Sequence, residues 1–320
     1  MPGLTGSCHT GGRLQTTLKT KVSFKGVGLH SGARACVTVH PASAEYGIWF
    51  RRTDLEGGDV MIPARWDRVE RSPLCTKLVN DDGVSVSTVE HLMAALAGCG
   101  LQNALIEIDG PEVPILDGSS AKFVDGFVAA GSQVLDAPSR AIRILQPVEV
   151  HEGEAWARLS PGETLEIDFQ IDFEDAAIGR QQKTLNMANG AFVRELSDSR
   201  TFCRRADVDT MQANGLALGG VPGENAVVFD GDLVESGGGL RHADEPVRHK
   251  MLDALGDLAL AGAPILGRYE GHRAGHALTN KLLRALFANP EAYRIVTCDA
   301  EVARLLPGVG LRHADLALSA

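Results

Sequence analysis

The sequence predicts an α+β protein built from two related domains that face each other. Three observations carry this reading. Short strand patterns come in two groups, each followed by an apolar helix, a strand, a loop and a second helix. The two leading helices share a V-x-H-x-M pattern, Val89-Glu90-His91-Leu92-Met93 and Val247-Arg248-His249-Lys250-Met251. Near the start of each half, a strand, a glycine-containing turn and a second strand end at a proline, at His40-Pro41 and at Ser160-Pro161. Units that recur in the same order indicate an internal repeat. The expected division is a flexible N-terminal extension at 1–13, a first domain at 14–135, a linker at 136–141, a second domain at 142–310 and a tail at 311–320.

In chain order, residues 1–13 are rich in Gly, Thr and Ser and read as frayed. Val22-Ser23-Phe24 leads into a glycine-rich turn at 26–32, and 35–39 alternates like a half-buried strand. Strands follow at 47–51 and 60–62. Residues 74–79 and 84–86 form a hairpin around Asn80-Asp81-Asp82-Gly83. It runs into a helix at 87–98 with a glycine stop, a strand at 103–108, a tight Gly/Pro/Asp loop at 109–120 and a helix at 121–130. Residues 131–140 read as loop. Strands then fall at 142–145, 148–150, 155–159 and 165–173, and 181–245 is mixed. A helix opens at Asp244, a good N-cap, with Pro246 in its first turn, where a missing N–H costs little. Met251, Leu252, Leu255 and Leu258 give it an apolar stripe, and Gly262 is its stop. A strand at 264–267, a loop holding Gly275-His276, a helix at 280–287 and a weak strand and helix at 294–306 complete the chain.

Composition narrows the function. A chain of 320 residues can bury a sizeable core, and 44% hydrophobic with 22% charged residues is a globular balance. The net charge of -10 gives no footprint for nucleic acid. The six cysteines form no C-x-x-C pair, which argues against a disulfide framework or a thiolate zinc site and for a reducing cytoplasm. The first twenty residues contain no apolar signal core, and no apolar run reaches transmembrane length. A cytoplasmic, monomeric protein is expected.

The chemistry concentrates in few residues. His249 and Asp253 are four apart, so they stack on one helix face and can hold one divalent ion; Asp257 lies one turn further. If the halves face each other, His91 meets them as a third ligand. Two histidines, one carboxylate and an open position make a common catalytic zinc set. Glu90, beside a ligand, can act as general base, or Ser87-x-x-Glu90 can be a capping box that merely satisfies a helix terminus. His276, on its loop, can serve an oxyanion or act as general acid, with Asp257 orienting its other nitrogen. A solvated polar helix face and ordinary surface histidines are the alternative reading of these positions.

The motifs Val27-Gly28-Leu29-His30-Ser31-Gly32, Ser87-Thr88-Val89-Glu90-His91-Leu92, Asp109-Gly110-Pro111-Glu112-Val113-Pro114-Ile115-Leu116-Asp117-Gly118, Ser199-Arg200-Thr201-Phe202, Val247 to Asp253 and Gly275-His276-Ala277-Leu278-Thr279-Asn280-Lys281 occur in one order. In this the chain resembles the UDP-3-O-acyl-N-acetylglucosamine deacetylases, the zinc amidases that commit lipid A synthesis, over about 14 to 310. The resemblance implies two domains, each a layered sheet and helix sandwich, packed helix face to helix face with the active site between them. It implies Zn2+, or Fe2+ in its place, on His91, His249 and Asp253. It assigns catalysis to Glu90, His276 with Asp257 behind it, and Thr201 as an oxyanion donor. It assigns substrate contacts to His30, Leu74, Cys75, Asp172, Phe173, Phe202, Lys250 and Gly219, the last within an acyl-passage insert at 213–228. Cys75 also reads simply as a small buried hydrophobe. The implied partner is a UDP-linked, acylated glucosamine, with transient contact at the inner-membrane surface. Arg204-Arg205 is a departure from the family pattern without an assigned role. Two alternatives stay open here: a zinc amidohydrolase acting on another acetylated nucleotide sugar, and a non-catalytic binder of nucleotide sugars or acyl chains.

Overall fold

The computed structural model describes residues 13–72 and 74–311. The expected extension and tail therefore lie, apart from Arg13 and Leu311, outside the described residues. The first half runs β1 (Leu14–Leu18), β2 (Val22–Val27), β3 (Arg34–Pro41), β4 (Ile48–Arg52), β5 (Met61–Pro63), β6 (Val69–Glu70), β7 (Lys77–Val79), β8 (Ser85–Val86), α1 (Glu90–Gly98), β9 (Ala104–Ile108) and α2 (Ala121–Ala130). Next come β10 (Ser132–Pro138), β11 (Arg140–Ile144), β12 (Val148–Glu152), β13 (Ala155–Pro161), β14 (Leu165–Asp172), β15 (Arg180–Asn186), α3 (Ala191–Glu195), β16 (Phe202–Arg204) and α4 (Arg205–Ala213). The chain closes with β17 (Val227–Asp230), β18 (Leu233–Val234), α5 (Glu245–Ala259), β19 (Ile265–His272), α6 (His276–Phe287), β20 (Tyr293–Thr297) and α7 (Ala300–Ala303).

The internal repeat is visible in the sheets. The first half forms a five-stranded sheet in the order β2-β3-β9-β4-β5. In it β9 is antiparallel to β3 and parallel to β4. The second half repeats the order as β12-β13-β19-β14-β15, with β19 antiparallel to β13 and parallel to β14. Helix α1 leads into the first sheet's central strand as α5 leads into the second's, and α2 and α6 follow those strands. In β3 and β14 buried and half-buried positions alternate, as the period of two requires. Strands β11 and β20 extend the second sheet, while β6-β7-β8 and β16-β17-β18 form small separate sheets.

One apolar core joins the halves, reaching from Phe50, Leu92 and Ile106 to Val247, Leu252 and Tyr269. Helix α1 is buried on nearly every face, which its apolar sequence permits. It packs directly on α5. A β-carbon on Gly256 would sit 2.1 Å from the Glu90 carbonyl oxygen, so only glycine allows this approach.

Several local expectations are corrected. Residues 131–140 are not loop: β10 pairs antiparallel with β1, and the proposed linker 136–141 is largely strand. The partner of β10 lies more than a hundred residues upstream, so local sequence carried little signal. His276 is not on a loop but is the first residue of α6, with extended Gly275 as N-cap. Asp244 does not cap α5 with its side chain; its carboxylate takes hydrogen bonds from Arg248 at 2.6 Å and Lys183 at 3.2 Å. Arg204 and Arg205, unassigned from sequence, pair with Asp175 and Glu235 and pin the start of α4. No helix among the described residues is long and apolar enough to cross a membrane.

Candidate active site and metal centre

Helices α1 and α5 bring His91, His249 and Asp253 together in the buried seam between the halves. Their ligand atoms lie within 4.8 Å of one another. The Asp253 Oδ1 atom is 3.3 Å from His249 Nε2 and 3.5 Å from His91 Nε2. A tetrahedral ion with bonds of about 2.0–2.2 Å spaces its donors by roughly 3.3–3.5 Å. The two imidazoles stand edge to face, 4.9 Å apart at 89°. His249 Nδ1 donates to the Ser199 carbonyl at 3.0 Å, which leaves the Nε2 lone pair free for a metal. Among the described residues, Asp253 Oδ1 is buried without any hydrogen bond, as is His91 Nδ1. A buried carboxylate oxygen with no donor is costly, and a divalent ion removes that cost. The residues present therefore fit a divalent metal.

Electrostatics agree with that fit. Burial pushes the His249 imidazole down to about 4, so it is neutral and ready to coordinate. Burial opposes ionisation of Asp253, but the facing His249 and the Lys250 ammonium prevail and hold it well below the usual carboxylate range. Lys250 Nζ donates to Asp253 Oδ2 at 2.7 Å, so its ammonium rests on this carboxylate.

Glu90 opens α1 and is buried, and burial pushes its carboxyl up. The capping-box alternative does not hold. Val89 is the N-cap residue, no side chain caps α1, and Ser87 Oγ donates to the Pro111 carbonyl. Instead Glu90 Oε2 accepts the Thr76 backbone N–H at 3.0 Å. His276 Nδ1 donates to Asp257 Oδ2 at 2.9 Å, and its Nε2 lies 3.9 Å from both Glu90 Oε1 and Asp253 Oδ2. Burial opposes the imidazolium, yet Asp257, Glu90 and Asp253 raise it to about 9.

The remaining candidates divide. Phe202 packs edge-on against Phe173 at 5.6 Å, Phe229 at 5.9 Å and His249 at 6.3 Å, so two of the substrate candidates share a wall beside the His/His/Asp cluster. Thr201 is half-buried and held by its backbone to Gly118 and Val227. His30 is pinned through its backbone N–H to Glu112, and both of its ring nitrogens are buried without a partner. Burial lowers its pKa; the Glu112 carboxylate opposes that, and His276 and His91 add to it. The Cys75 thiol is buried, and that burial pushes it up to about 11, away from the thiolate form. Leu74 is 38% exposed. Asp172 is exposed at the end of β14, opposite Arg180, and no contact links it to the metal cluster among the described residues. Gly219 closes on the 26–32 turn: its N–H bonds the Leu29 carbonyl at 3.0 Å, and a β-carbon there would meet the Gly28 oxygen at 2.1 Å. A large side chain at 219 would displace that turn before it filled any passage.

Sequence reasoning quoted Ser199 and Glu112 within motifs but gave no role to them or to Thr76. Thr76 serves two carboxylates, donating its N–H to Glu90 and its hydroxyl to Asp257 Oδ1 at 2.5 Å. Ser199 fixes the His249 ring through a carbonyl, and Glu112 ties His30 and Ser31 to Thr88. A threonine beside a cysteine and a main-chain carbonyl carry no spacing signal, so only the fold reveals them.

Comparison with known proteins agrees with this geometry. The profile for UDP-3-O-acyl N-acetylglycosamine deacetylase matches residues 15–288. A UDP-3-O-acyl-N-acetylglucosamine deacetylase of Phenylobacterium zucineum is 49% identical over 289 residues, covering 90% of this chain and 98% of its own. That of Shewanella frigidimarina is 44% identical over 300 residues, covering 92% and 97%. That of Pasteurella multocida is 46% identical over 287 residues, covering 89% and 93%. With likeness of this extent and a buried His/His/Asp cluster at the seam of its repeat, the chain belongs to the UDP-3-O-acyl N-acetylglycosamine deacetylase family.

Proposed function

We propose that this protein hydrolyses the N-acetyl group of a UDP-linked, 3-O-acylated N-acetylglucosamine, the step that commits that sugar to lipid A. Acetate leaves and a free amine remains. The observation that carries the reading is the convergence of Glu90 and the Asp257-held His276, 3.9 Å from each other, beside the buried His91/His249/Asp253 cluster. Zn2+, with Fe2+ as a substitute, is the ion proposed for those three ligands, and when bound it supplies Lewis acidity at neutral pH. The rest of the chemistry falls to the chain. Glu90, with Oε2 held by Thr76, takes a proton from the attacking water at Oε1. Its carboxyl, raised by burial, is closer to the working pH than a solvated one. His276 is cationic; its Nδ1–H is fixed on Asp257, so Nε2–H faces the site. From there it stabilises the oxyanion and donates a proton to the departing amine as the C–N bond breaks. Thr201 is proposed as a second oxyanion donor.

Substrate placement follows the resemblance. Phe202, Phe173 and Asp172 hold the sugar and nucleotide, His30 and Lys250 lie toward the sugar and diphosphate, and Leu74, Cys75 and the insert around Gly219 border the acyl chain. The domains are read as 14–135 and 142–310, packed helix face to helix face, with cytoplasmic location, a monomeric state and transient approach to the inner membrane. Acetate release, measured with and without metal and on acylated and unacylated UDP-N-acetylglucosamine, tests the reading. Metal-dependent release from the acylated sugar is expected. A chain burying about ten methylenes at roughly 0.8 kcal/mol each should make the unacylated sugar a very poor substrate. Equal kcat/KM on both sugars would reject the acyl assignment.

A further inference from the structure

Helices α1 and α5 also border a second space. A cavity of about 630 Å³ is lined by Met93, Leu96 and Ala97 of α1 and by Leu255, Leu258 and Ala259 of α5. It includes neither the metal ligands, Glu90 or His276 nor any residue of the 213–228 insert. Its volume lies in the range of small-molecule sites. Its walls are largely aliphatic, and its polar groups gather around the N-terminal end of β1, where Arg13, Gln15, Glu45 and Arg140 line it.

Three arginines line this cavity, and two of them are already neutralised. Arg65 pairs with Asp67 at 3.0 Å, and Arg140 with Glu45 at 3.1 Å, where Gln15 also donates. Arg13 is different. Its guanidinium makes no hydrogen bond or ion pair among the described residues. It lies over Gly100, its Nη2 2.8 Å from where a β-carbon would stand. Burial lowers its pKa; the Cys298 thiol opposes that, and no carboxylate among the described residues does. A mostly buried guanidinium without an anion is an energetic liability that a bound carboxylate would relieve through charge-assisted hydrogen bonds.

We propose that this cavity binds a linear fatty-acid-type carboxylate, with its chain between α1 and α5 and its head group on Arg13. An aliphatic interior with, among the described residues, one cation at its end that lacks an acidic partner selects an amphiphile with a single anionic terminus. Two of the protein's three tryptophans, Trp49 and Trp66, line the cavity and would report occupancy.

The test is a fluorescence titration of the full-length, zinc-loaded chain carrying Trp156→Phe, which leaves only the cavity tryptophans. Laurate below its micelle concentration is the probe, and dodecanol is its neutral control. Laurate should give a saturable change at one equivalent per chain, and dodecanol should bind at least tenfold more weakly. Arg13→Gln should weaken laurate to the dodecanol level, and Ala259→Phe should weaken both by filling the chain end. Arg13→Gln keeps the backbone bonds of residue 13 to Cys298 and Ser139, so that variant keeps the test valid if Ala259→Phe fails to fold. No saturable signal, or laurate affinity unchanged by Arg13→Gln, would overturn the site. So would binding that appears only after removal of residues 1–12, which would make the chain's own terminus the occupant. Displacement of laurate by the acylated UDP-sugar would place the probe in the acyl passage and overturn it equally.

Discussion

Glu90 and His276 stand close enough to bias each other's protons, yet neither has a side-chain hydrogen bond to the other. Each is set by a third party, Glu90 by the Thr76 N–H and His276 by Asp257. Glu90→Ala and His276→Ala should each lower kcat by about a hundredfold or more, the usual scale for acid–base groups. Metal content, read by atomic emission, should stay near one per chain; loss of metal from Glu90→Ala would move Glu90 into the ligand set. Thr76 offers a finer test. Thr76→Val removes the hydroxyl from Asp257 but keeps the backbone N–H to Glu90. We expect kcat to fall about tenfold with KM unchanged, the loss of one buried hydrogen bond, and Thr76→Ser to restore it. Equal defects in Val and Ser variants would show that the hydroxyl does not matter.

At the scale of elements, α5 is anchored at its start by Glu245, whose carboxylate takes hydrogen bonds from the Arg200 backbone and side chain and from the Arg241 N–H. Burial pushes the Glu245 carboxyl up, but these bonds outweigh it and leave its pKa below the usual value. A folded-state pKa below the unfolded one gives stability that is complete above the unfolded value, near about 4.3, and lost as pH falls through the folded value. Glu245→Gln should therefore cost about 2–4 kcal/mol at pH 7, with Arg200 left buried and unpaired, and the gap to wild type should close below about pH 4. Urea denaturation at several pH values measures it, and a gap independent of pH would refute the linkage. The seam between α1 and α5 makes a second demand. Gly256→Ala must push the Glu90 carbonyl away, so stability should drop by about 1–3 kcal/mol and kcat should fall with it. Wild-type melting and turnover in that variant would mean the helices have more slack than their contact shows.

For the whole molecule, the cluster that can hold a divalent metal draws on both halves of the repeat, His91 from the first and His249 and Asp253 from the second. A ligand that binds only the folded state raises stability by mass action. Chelation should abolish turnover and lower the melting temperature by several degrees, and stoichiometric zinc should restore both. If activity returned without the thermal shift, the metal would not bridge the halves. One continuous core makes the same point, since its apolar contacts cross the seam beside the site.

The repeat is legible in the sequence itself, because strand alternation, the shared V-x-H-x-M and the glycine and proline punctuation are local patterns set by backbone geometry. The row of His249, Asp253 and Asp257 follows from helical spacing alone, and α2 lies where its periodicity puts it. What lies outside local pattern needs the tertiary fold. The pairing of β10 with β1 and the ion pair of Asp244 with Lys183 depend on residues distant in sequence. So does the exclusion of a capping box at Glu90, whose carboxylate accepts the Thr76 N–H and caps no helix end. Periodicity names the side chains that share a face; which two faces meet is decided by long-range packing, and here that packing places His91 on Asp253 and leaves the carboxylate oxygen between two imidazoles.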